Sequence, residues 1–487
     1  KVFEKPVLAD LAAFISSQAD AGKLELIPRV DHSQPQPLSY FQNRLWLTEK
    51  LQGGTSYNIP LQLKLSGAVT SSEIEAVIQK LIERHSSFRT RFIEKDDEVF
   101  QVIDDNLNFK LSVIDIKEEN LSDALRKDAT DSLDIADGEL HRVKLYKLSE
   151  TQHVLSFVQH HIISDAWSLE IIAHNFLEYF NAGREKRNAN LEVLPCQYID
   201  YSVWQRTNLH GEELQKKLNF WSEKLQGLEP LNLAGAVGQN SKEVERCETQ
   251  LSTELSESLY IFCKDKQISL FMLMNASLNV LLWRYSGKKD IIYSVPAANR
   301  QHPSLEKLIG FFINTLVMRS QINESASISN YLSDVKASII ESFDNQDIAF
   351  EQILQGMKLS ANESDKIFSE VRLVVNERAE LSLPSSEVDF EMLKSDTGDA
   401  KFNLLVNVFR RDQLKLQFDY DKGLFNADKM YSMLQSWHEI LEQFISSPDQ
   451  QLSSLELTEQ NQFEFNASDL AYDRDQSICS RIAAWSE

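Results

Sequence analysis

The chain has 487 residues, of which 42% are hydrophobic and 25% charged, with 50 Lys and Arg against 73 Asp and Glu. This length predicts roughly three domains of about 150 residues, and the composition is that of an average globular protein, which argues against wholesale disorder and a membrane-embedded fold. The net charge of −23 repels phosphate backbones and anionic lipid, so neither nucleic acid nor a membrane is an expected partner.

The cysteine pattern argues against both a zinc site and a disulfide framework. No Cys-x-x-Cys pair occurs, and the four cysteines are far apart: Cys196, Cys247, Cys263 and Cys479. A reduced compartment is therefore expected, and we predict the cytoplasm. No signal peptide opens the sequence, and the first residue is Lys1 rather than Met, so we expect a piece of a longer protein.

The first part of the chain predicts flanking segments and then a globular region. Residues 1–14 have the pattern of a helix end, and the polar, proline-containing residues 15–36 predict a linker before the globular pattern begins at Leu38. An amphipathic helix is predicted at 72–84, with Ser72 and Glu75 as its capping box. Its apolar residues recur at helical spacing: Ile74, Val77, Ile78, Leu81 and Ile82.

The rest of the chain alternates predicted strands and helices. A strand at 153–163 leads into a helix at 165–180, with Ser164 or Asp165 as the N-cap. Residues 226–248 lack periodicity and predict a boundary. A buried helix follows at 270–285, and strands are predicted at 291–295, 311–317, 402–409 and 414–420. We therefore predict an α/β protein with lobes at 37–225 and 226–462, flanked by segments 1–36 and 463–487.

The densest chemistry lies where the strand at 153–163 meets the next helix. His160 and His161 are adjacent, so only one of them can point into a given cleft. A neutral imidazole is the natural general base near pH 7, although both rings can equally be structural. Asp165 follows four residues after His161 and can either orient the ring or anchor the loop on a basic partner.

Other site types lack their sequence signals. No further His or Cys stands at a spacing that would complete a metal site, so none is predicted. The chain also lacks a Gly-x-Ser-x-Gly nucleophile elbow, a P-loop and a Gly-x-Gly-x-x-Gly fingerprint.

Six segments of the chain contain motifs that occur together: 38–46 (LSYFQNRLW), 83–92 (ERHSSFRTRF), 159–168 (QHHIISDAWS), 198–204 (YIDYSVW), 309–315 (IGFFINT) and 345–351 (NQDIAFE). The third is the histidine motif, His-His-x-x-x-Asp. In this order they resemble the motifs of the condensation domains of nonribosomal peptide synthetases, which are similar to chloramphenicol acetyltransferase. The resemblance implies two chloramphenicol acetyltransferase-like lobes in a pseudo-dimer, with the active site at their interface.

The resemblance also implies what the flanking segments are. Residues 1–14 resemble the last helix of a carrier domain, and residues 464–475 resemble the lead-in to an adenylation domain. Two features depart from the family pattern. Ala166 stands where the family usually has glycine, and its methyl group could narrow the substrate tunnel. The seventh motif is poorly matched near Phe368–Arg372.

The resemblance implies a role for each motif residue. The candidate catalytic residues are His160, His161 and Asp165, of which His161 would be the general base or would position the amine. His160 would be structural, and Asp165 would pair with Arg300. The backbone amides of Ala166 and Trp167 are oxyanion candidates, while packing or capping is the alternative for Trp167 and Ser168. The remaining motif residues would form the scaffold: Arg89, Tyr201, Trp204, Gly310, Asn314 and Asp347.

The implied reaction is amide formation between two carrier-bound substrates. The amine of an aminoacyl thioester on a downstream carrier would attack an acyl or peptidyl thioester on an upstream carrier. Phosphopantetheine would arrive on these carriers, so no directly bound cofactor is expected. The other expected partner is the adjacent adenylation domain, and the excised piece is expected to be monomeric. Ser56–Pro60 and Ile313–Leu316 resemble the class that takes an L-configured donor.

Four alternatives share parts of the pattern. Epimerization domains keep both histidines but differ in the fifth motif, and heterocyclization domains replace the histidine pair by aspartates. Plant-type acyltransferases carry a later Asp-Phe-Gly-Trp-Gly, which is absent here. A non-catalytic recruitment domain usually loses a motif histidine, whereas this chain keeps both. Ala166 leaves that last alternative open.

Overall fold

The structure is a computed structural model that describes residues 26–52, 57–105, 109–135, 138–233, 241, 243–357, 367–376, 388–393, 402–410 and 412–457. The predicted carrier helix at 1–14, the adenylation lead-in at 464–475 and Cys479 lie outside these residues. Among the described residues, no helix combines the length and the hydropathy needed to cross a membrane.

The N-terminal lobe is a five-stranded sheet covered by helices, with a small three-stranded sheet beside it. Its strands are β1 (Gln36–Pro37), β2 (Asn58–Ser66), β3 (Thr90–Lys95), β4 (Glu98–Ile103), β5 (Ser112–Asp115), β6 (His141–Lys147) and β7 (Gln152–His160). Its helices are α1 (Tyr40–Gln52), α2 (Ser71–Arg84), α3 (Glu118–Thr130), α4 (Ala166–Arg184), α5 (Tyr198–Asn208) and α6 (Gly211–Lys224).

The C-terminal lobe is built around a six-stranded mixed sheet. Its strands are β8 (Val244–Gln250), β9 (Asp290–Ala297), β10 (Asn314–Gln321), β11 (Val371–Asn376), β13 (Leu404–Phe409) and β14 (Lys415–Asp421). Its helices are α7 (Thr253–Asp265), α8 (Leu270–Ser286), α9 (Ile328–Asp344), α10 (Phe350–Met357) and α11 (Ala427–Ser446). Helix α8 is apolar on nearly every face because it lies inside the lobe's core, as its sequence predicts.

One strand joins the two lobes. After β11 the chain leaves the C-terminal sheet, and β12 (Asp389–Met392) pairs antiparallel with β2, so that Phe390 lies opposite Leu65. The strand order of the N-terminal sheet is therefore β12-β2-β7-β6-β5. The strand order of the C-terminal sheet is β10-β9-β11-β13-β14-β8. Phe390 is 5% exposed and packs on Phe176 and Phe180 of α4.

The structure requires two adjustments to the predicted lobe boundaries. Residues 389–392 lie in the stretch predicted for the C-terminal lobe but complete the N-terminal sheet. The N-terminal lobe also begins before residue 37, since Ile27 is buried in its core. Within the predicted linker, Arg29 donates to the Leu194 carbonyl at 2.8 Å, and the His32 Nε2 lies 2.8 Å from Asp200 Oδ1.

Helix α2 forms as predicted, but its capping box lies two residues earlier. Thr70 is the N-cap: its Oγ1 accepts from the Glu73 amide, and the Glu73 carboxylate accepts from the Thr70 amide. The predicted box of Ser72 and Glu75 is wrong. Glu75 lies inside the helix, where its carboxylate accepts from the amide of Leu111.

Candidate active site

The histidine pair lies at the carboxyl end of a buried strand, as the sequence predicts. Strand β7 ends at His160, a single 3₁₀ turn spans His161–Ile163, and α4 begins at Ala166. The two rings have different surroundings, since His160 is 1% exposed and His161 is half-buried. His161 is therefore the more accessible of the two rings.

The His161 ring is held in the tautomer that a general base needs. Its Nδ1 lies 2.8 Å from the carbonyl oxygen of Ser164. A carbonyl can only accept a hydrogen bond, so Nδ1 carries a proton, and in the neutral ring the lone pair is on Nε2. The ring also packs edge-on against Phe311, with centroids 4.9 Å apart. The orienting group is thus the Ser164 carbonyl rather than the carboxylate of Asp165.

His160 supports the turn. Its Nδ1 accepts from the amide of Ile162 at 3.1 Å, so the proton of the neutral ring is on Nε2. Burial, together with the neighbouring His161, lowers the pKa of His160 to about 3. The ring is therefore neutral at physiological pH and belongs to the framework of the turn.

Asp165 anchors this framework. It is the N-cap of α4, and its Oδ1 accepts from the Ser168 amide at 2.8 Å and from the Ser168 hydroxyl at 2.7 Å. Its Oδ2 accepts from the amide of Phe312 at 3.1 Å. Of the two roles open to Asp165 in the sequence, the structure supports the anchoring role.

The basic partner of Asp165 is Arg300, the residue named from the sequence. Its Nη2 lies 3.1 Å from Asp165 Oδ1 and also donates to the Ser168 hydroxyl at 3.1 Å. Its Nη1 donates to the carbonyls of Leu305 and Leu308, each at 2.6 Å. Burial lowers the pKa of the Arg300 guanidinium, and the charge of Asp165 opposes that effect. Both side chains are almost fully buried, at 1% and 2% exposed.

Residues 300–312 lie against the N-terminal lobe beside this site. The Ser87 hydroxyl donates to the Ile309 carbonyl at 2.6 Å, and the Tyr198 hydroxyl donates to the carbonyl of Phe311 at 2.7 Å. At Gly310 an added Cβ would lie 1.9 Å from the Tyr198 ring. Only glycine fits this close approach.

The residues at the start of α4 lie beside the histidine turn. Ala166 is exposed, and Ser168 is fully buried between Asp165 and Arg300. Trp167 is half-buried, and its Nε1 donates to the carbonyl of Glu306 at 3.0 Å. The Trp167 side chain thus contributes to the contact between the lobes.

The other motif residues lie in the scaffold. Arg89 donates to the carbonyls of Ile82 and Asp104, and Asp347 pairs with Lys217 at 2.6 Å. The Asn314 side chain donates to the carbonyls of Gln346 and Ile348. The rings of Tyr201 and Trp204 lie in contact at the junction of the lobes, with centroids 6.2 Å apart and their planes tilted by 34°.

Sequence reasoning missed the contact between α1 and the histidine turn. Gln42 Nε2 donates to the Ile162 carbonyl at 3.2 Å. The first motif contains Gln42, but it gave no sign that this side chain reaches residue 162. Among the described residues, no cluster of three or more His, Cys, Asp or Glu side chains is placed to hold a metal ion.

The two α/β lobes have the chloramphenicol acetyltransferase-like fold, and His161 lies at their junction. The sequence model of the Condensation domain matches residues 32–465, so the chain belongs to the condensation-domain family. Condensation domains form peptide bonds between carrier-bound substrates in nonribosomal peptide synthetases.

Relatives and solved structures agree with this assignment. Two linear gramicidin synthase subunits, both from Brevibacillus parabrevis, are 32% and 29% identical to the chain. These matches cover 98% and 99% of the chain but only 10% of each relative, so the chain spans about a tenth of their length.

The fold is that of several solved structures. The X-domain from teicoplanin biosynthesis aligns with a TM-score of 0.75 at 22% identity, covering 88% of this chain and 99% of that one. The first condensation domain of the calcium-dependent antibiotic synthetase aligns with a TM-score of 0.71 at 14% identity, covering 88% and 100%.

Proposed function

We propose that this chain joins a donor acyl or peptidyl group to an aminoacyl acceptor, with His161 as the group that receives the proton of the attacking amine. The observation that carries this proposal is the His161 tautomer, because Nδ1 donates to the Ser164 carbonyl and the lone pair of the neutral ring is therefore on Nε2. The ring is half-buried at the junction of the lobes, where two substrates can meet.

The step balances without a metal or a covalent protein intermediate. The acceptor amine nitrogen attacks the donor thioester carbon, a C–N bond forms, and the C–S bond breaks. The amine loses one proton to His161 Nε2, and the departing thiolate of the donor arm takes up one proton. Because a thioester is already activated, holding the two reactants together supplies much of the acceleration, on the order of 7–11 kcal/mol.

The proposal extends to the surroundings of the reaction. Helix α4 begins at Ala166, five residues beyond His161, and the amides of Ala166 and Trp167 are the proposed donors to the developing oxyanion. The substrates arrive on phosphopantetheine arms of an upstream and a downstream carrier in the cytoplasm. The donor is L-configured, and the isolated chain is monomeric.

The test is a single-turnover assay that reads the acceptor carrier by intact mass. One carrier is loaded with an L-donor or a D-donor and a second with an acceptor amino acid. His161→Ala should lower the rate by about 10²–10⁴-fold, the usual contribution of general acid–base catalysis. His174→Ala is the matched control, because His174 is exposed on the same helix α4 and should leave the rate unchanged.

The other outcomes separate the alternatives. Transfer that survives in His161→Ala would keep the reaction but remove the histidine from it. Absence of transfer for a panel of substrate pairs, with both carriers still bound, would indicate a recruitment domain. A change of α-carbon configuration without transfer would indicate an epimerase.

A further inference from the structure

A buried carboxylate of helix α1 lies close to the histidine turn at a second point. Glu49 Oε2 lies 4.0 Å from His160 Nε2, and the two side chains are 9% and 1% exposed. Neither atom has a hydrogen-bond partner among the described residues, although both are shielded from solvent. A buried polar atom without a partner costs about 1–3 kcal/mol, so two such atoms facing each other require an explanation.

The protonation of His160 makes these two atoms complementary. Its Nδ1 accepts from the Ile162 amide, so Nε2 carries the proton of the neutral ring. Glu49 Oε2 is an acceptor, and burial raises the pKa of the Glu49 carboxyl, which makes it a more basic one. The 4.0 Å separation between the two atoms is longer than a hydrogen bond by less than an ångström. Rotation about the side-chain bonds of Glu49 can change this distance by that amount.

The same face of α1 already contacts the turn through Gln42. Positions 42, 46 and 49 are separated by four and three residues, so they share one face of the helix. Gln42 holds the Ile162 carbonyl, and the amide of the same residue is held by His160. Both backbone hydrogen-bonding groups of Ile162, in the turn that carries His161, are thus held by side chains.

We propose that Glu49 is a positioning residue for the reaction, which accepts the Nε2 proton of His160 and so fixes the ring that holds the His161 turn. The His160 ring then connects Glu49 of α1 to the amide of Ile162. This requires a neutral ring, because Nδ1 must accept a hydrogen bond while Nε2 donates one. Only the kinetic test of this role rests on the proposed function, because the state of the His160 ring is observable without any substrate.

The first measurement is the ¹⁵N spectrum of histidine-labelled protein, wild type against Glu49→Leu. In the wild type the His160 ring should show an unprotonated Nδ1 and a protonated Nε2. Glu49→Leu removes the acceptor, so both ring signals should move and the Nε2 proton should exchange faster with solvent. Glu49→Gln keeps an oxygen acceptor without charge and should move the Nε2 signal while keeping the tautomer.

The second measurement is the single-turnover rate as a function of carrier concentration. For Glu49→Leu we expect the saturating rate to fall about tenfold, with an unchanged half-saturating carrier concentration. This is the size of effect seen when a group that orients a histidine of a metal site is removed. Glu49→Gln should keep the wild-type rate. The matched control is Glu370→Gln, a buried carboxylate of the other lobe that accepts from the amides of Leu231 and Leu233. It should lower the melting temperature without lowering the rate.

Two results would overturn the proposal. The first is a His160 ring whose ¹⁵N signals are the same in wild type and Glu49→Leu. The second is a rate loss in Glu49→Leu that the folded fraction of the protein explains in full. If Glu49→Leu does not fold, the Nε2 signal of Glu49→Gln decides instead: a shifted signal supports the contact, and an unchanged one refutes it. Loss of transfer in every variant and in the wild type would refute the proposed function and leave the ring signals as a separate result.

Discussion

The ion pair between Asp165 and Arg300 should be strongly coupled, because it lies almost fully buried where the lobes meet. Arg300→Met keeps a long side chain and removes every donor. It leaves the Asp165 carboxylate buried without its counter-ion. It also removes the side-chain donor to the Leu305 and Leu308 carbonyls, although the Leu305 carbonyl still accepts from the Leu308 amide. Breaking one side of a buried pair costs about 3–5 kcal/mol, so Arg300→Met should lower the free energy of unfolding by that amount.

The double variant measures the coupling free energy between the Asp165 and Arg300 side chains directly. Asp165→Asn strands the Arg300 guanidinium and should cost about as much as Arg300→Met. With both substitutions no charge is left buried, so the double variant should be no less stable than either single one. The coupling free energy should then be about 3 kcal/mol. The exposed pair of Lys289 and Glu324, with side chains 59% and 40% exposed, is the control and should couple by less than about 1 kcal/mol.

Urea unfolding followed by tryptophan fluorescence and far-UV circular dichroism measures the four free energies of the cycle, and coincident transitions by both probes establish that each value is defined. Additive costs, within about 0.5 kcal/mol, would refute the reasoning. Such a result would mean that Asp165 is stabilised by its contacts with Ser168 and Phe312 alone.

Two further predictions concern close packing and acid stability. Gly310→Ala should cost about 1–3 kcal/mol, because its Cβ would lie 1.9 Å from the buried Tyr198 ring; an unchanged melting temperature would contradict this. Burial lowers the pKa of His85 and of His160 to about 3, below the value of about 6.5 in the unfolded chain. Their contribution to stability is complete above pH 6.5 and is lost as the pH falls towards 3, by about 2 kcal/mol each between pH 6.5 and 5. In urea titrations over this range His85→Gln should show a shallower loss than the wild type, and equal slopes would contradict the assignment.

Local pattern was sufficient to predict helices but not their first residues. The segment Thr70–Glu75 contains two overlapping capping-box patterns, and the apolar periodicity from Ile74 onwards is compatible with both. The contact that separates them is long-range, since the Glu75 carboxylate is used by the amide of Leu111. Likewise a strand was predicted from Phe311, but β10 begins at Asn314. The amide of Phe312 is instead directed at Asp165.

The chemically distinctive side chains of the site could be predicted from the sequence, whereas its backbone contacts could not. His161, Asp165 and Arg300 are recognisable by residue type and motif. The carbonyl of Ser164, which sets the His161 tautomer, has no sequence signal because every residue has a carbonyl. Gln42 meets Ile162 across 120 residues, a separation that no local pattern spans.

Strand β12 has a consequence for how the protein is made. The N-terminal sheet has four of its strands once residue 160 has been synthesised, but its fifth lies at 389–392. At about 5–20 residues per second the ribosome needs roughly 10–50 s to reach it. During that interval the edge of β2 carries unpaired backbone groups, which can pair with another nascent chain. A lobe expressed alone from 37 to 225 would keep that open edge permanently, so the first half of the molecule completes its sheet only after most of the second half has been translated.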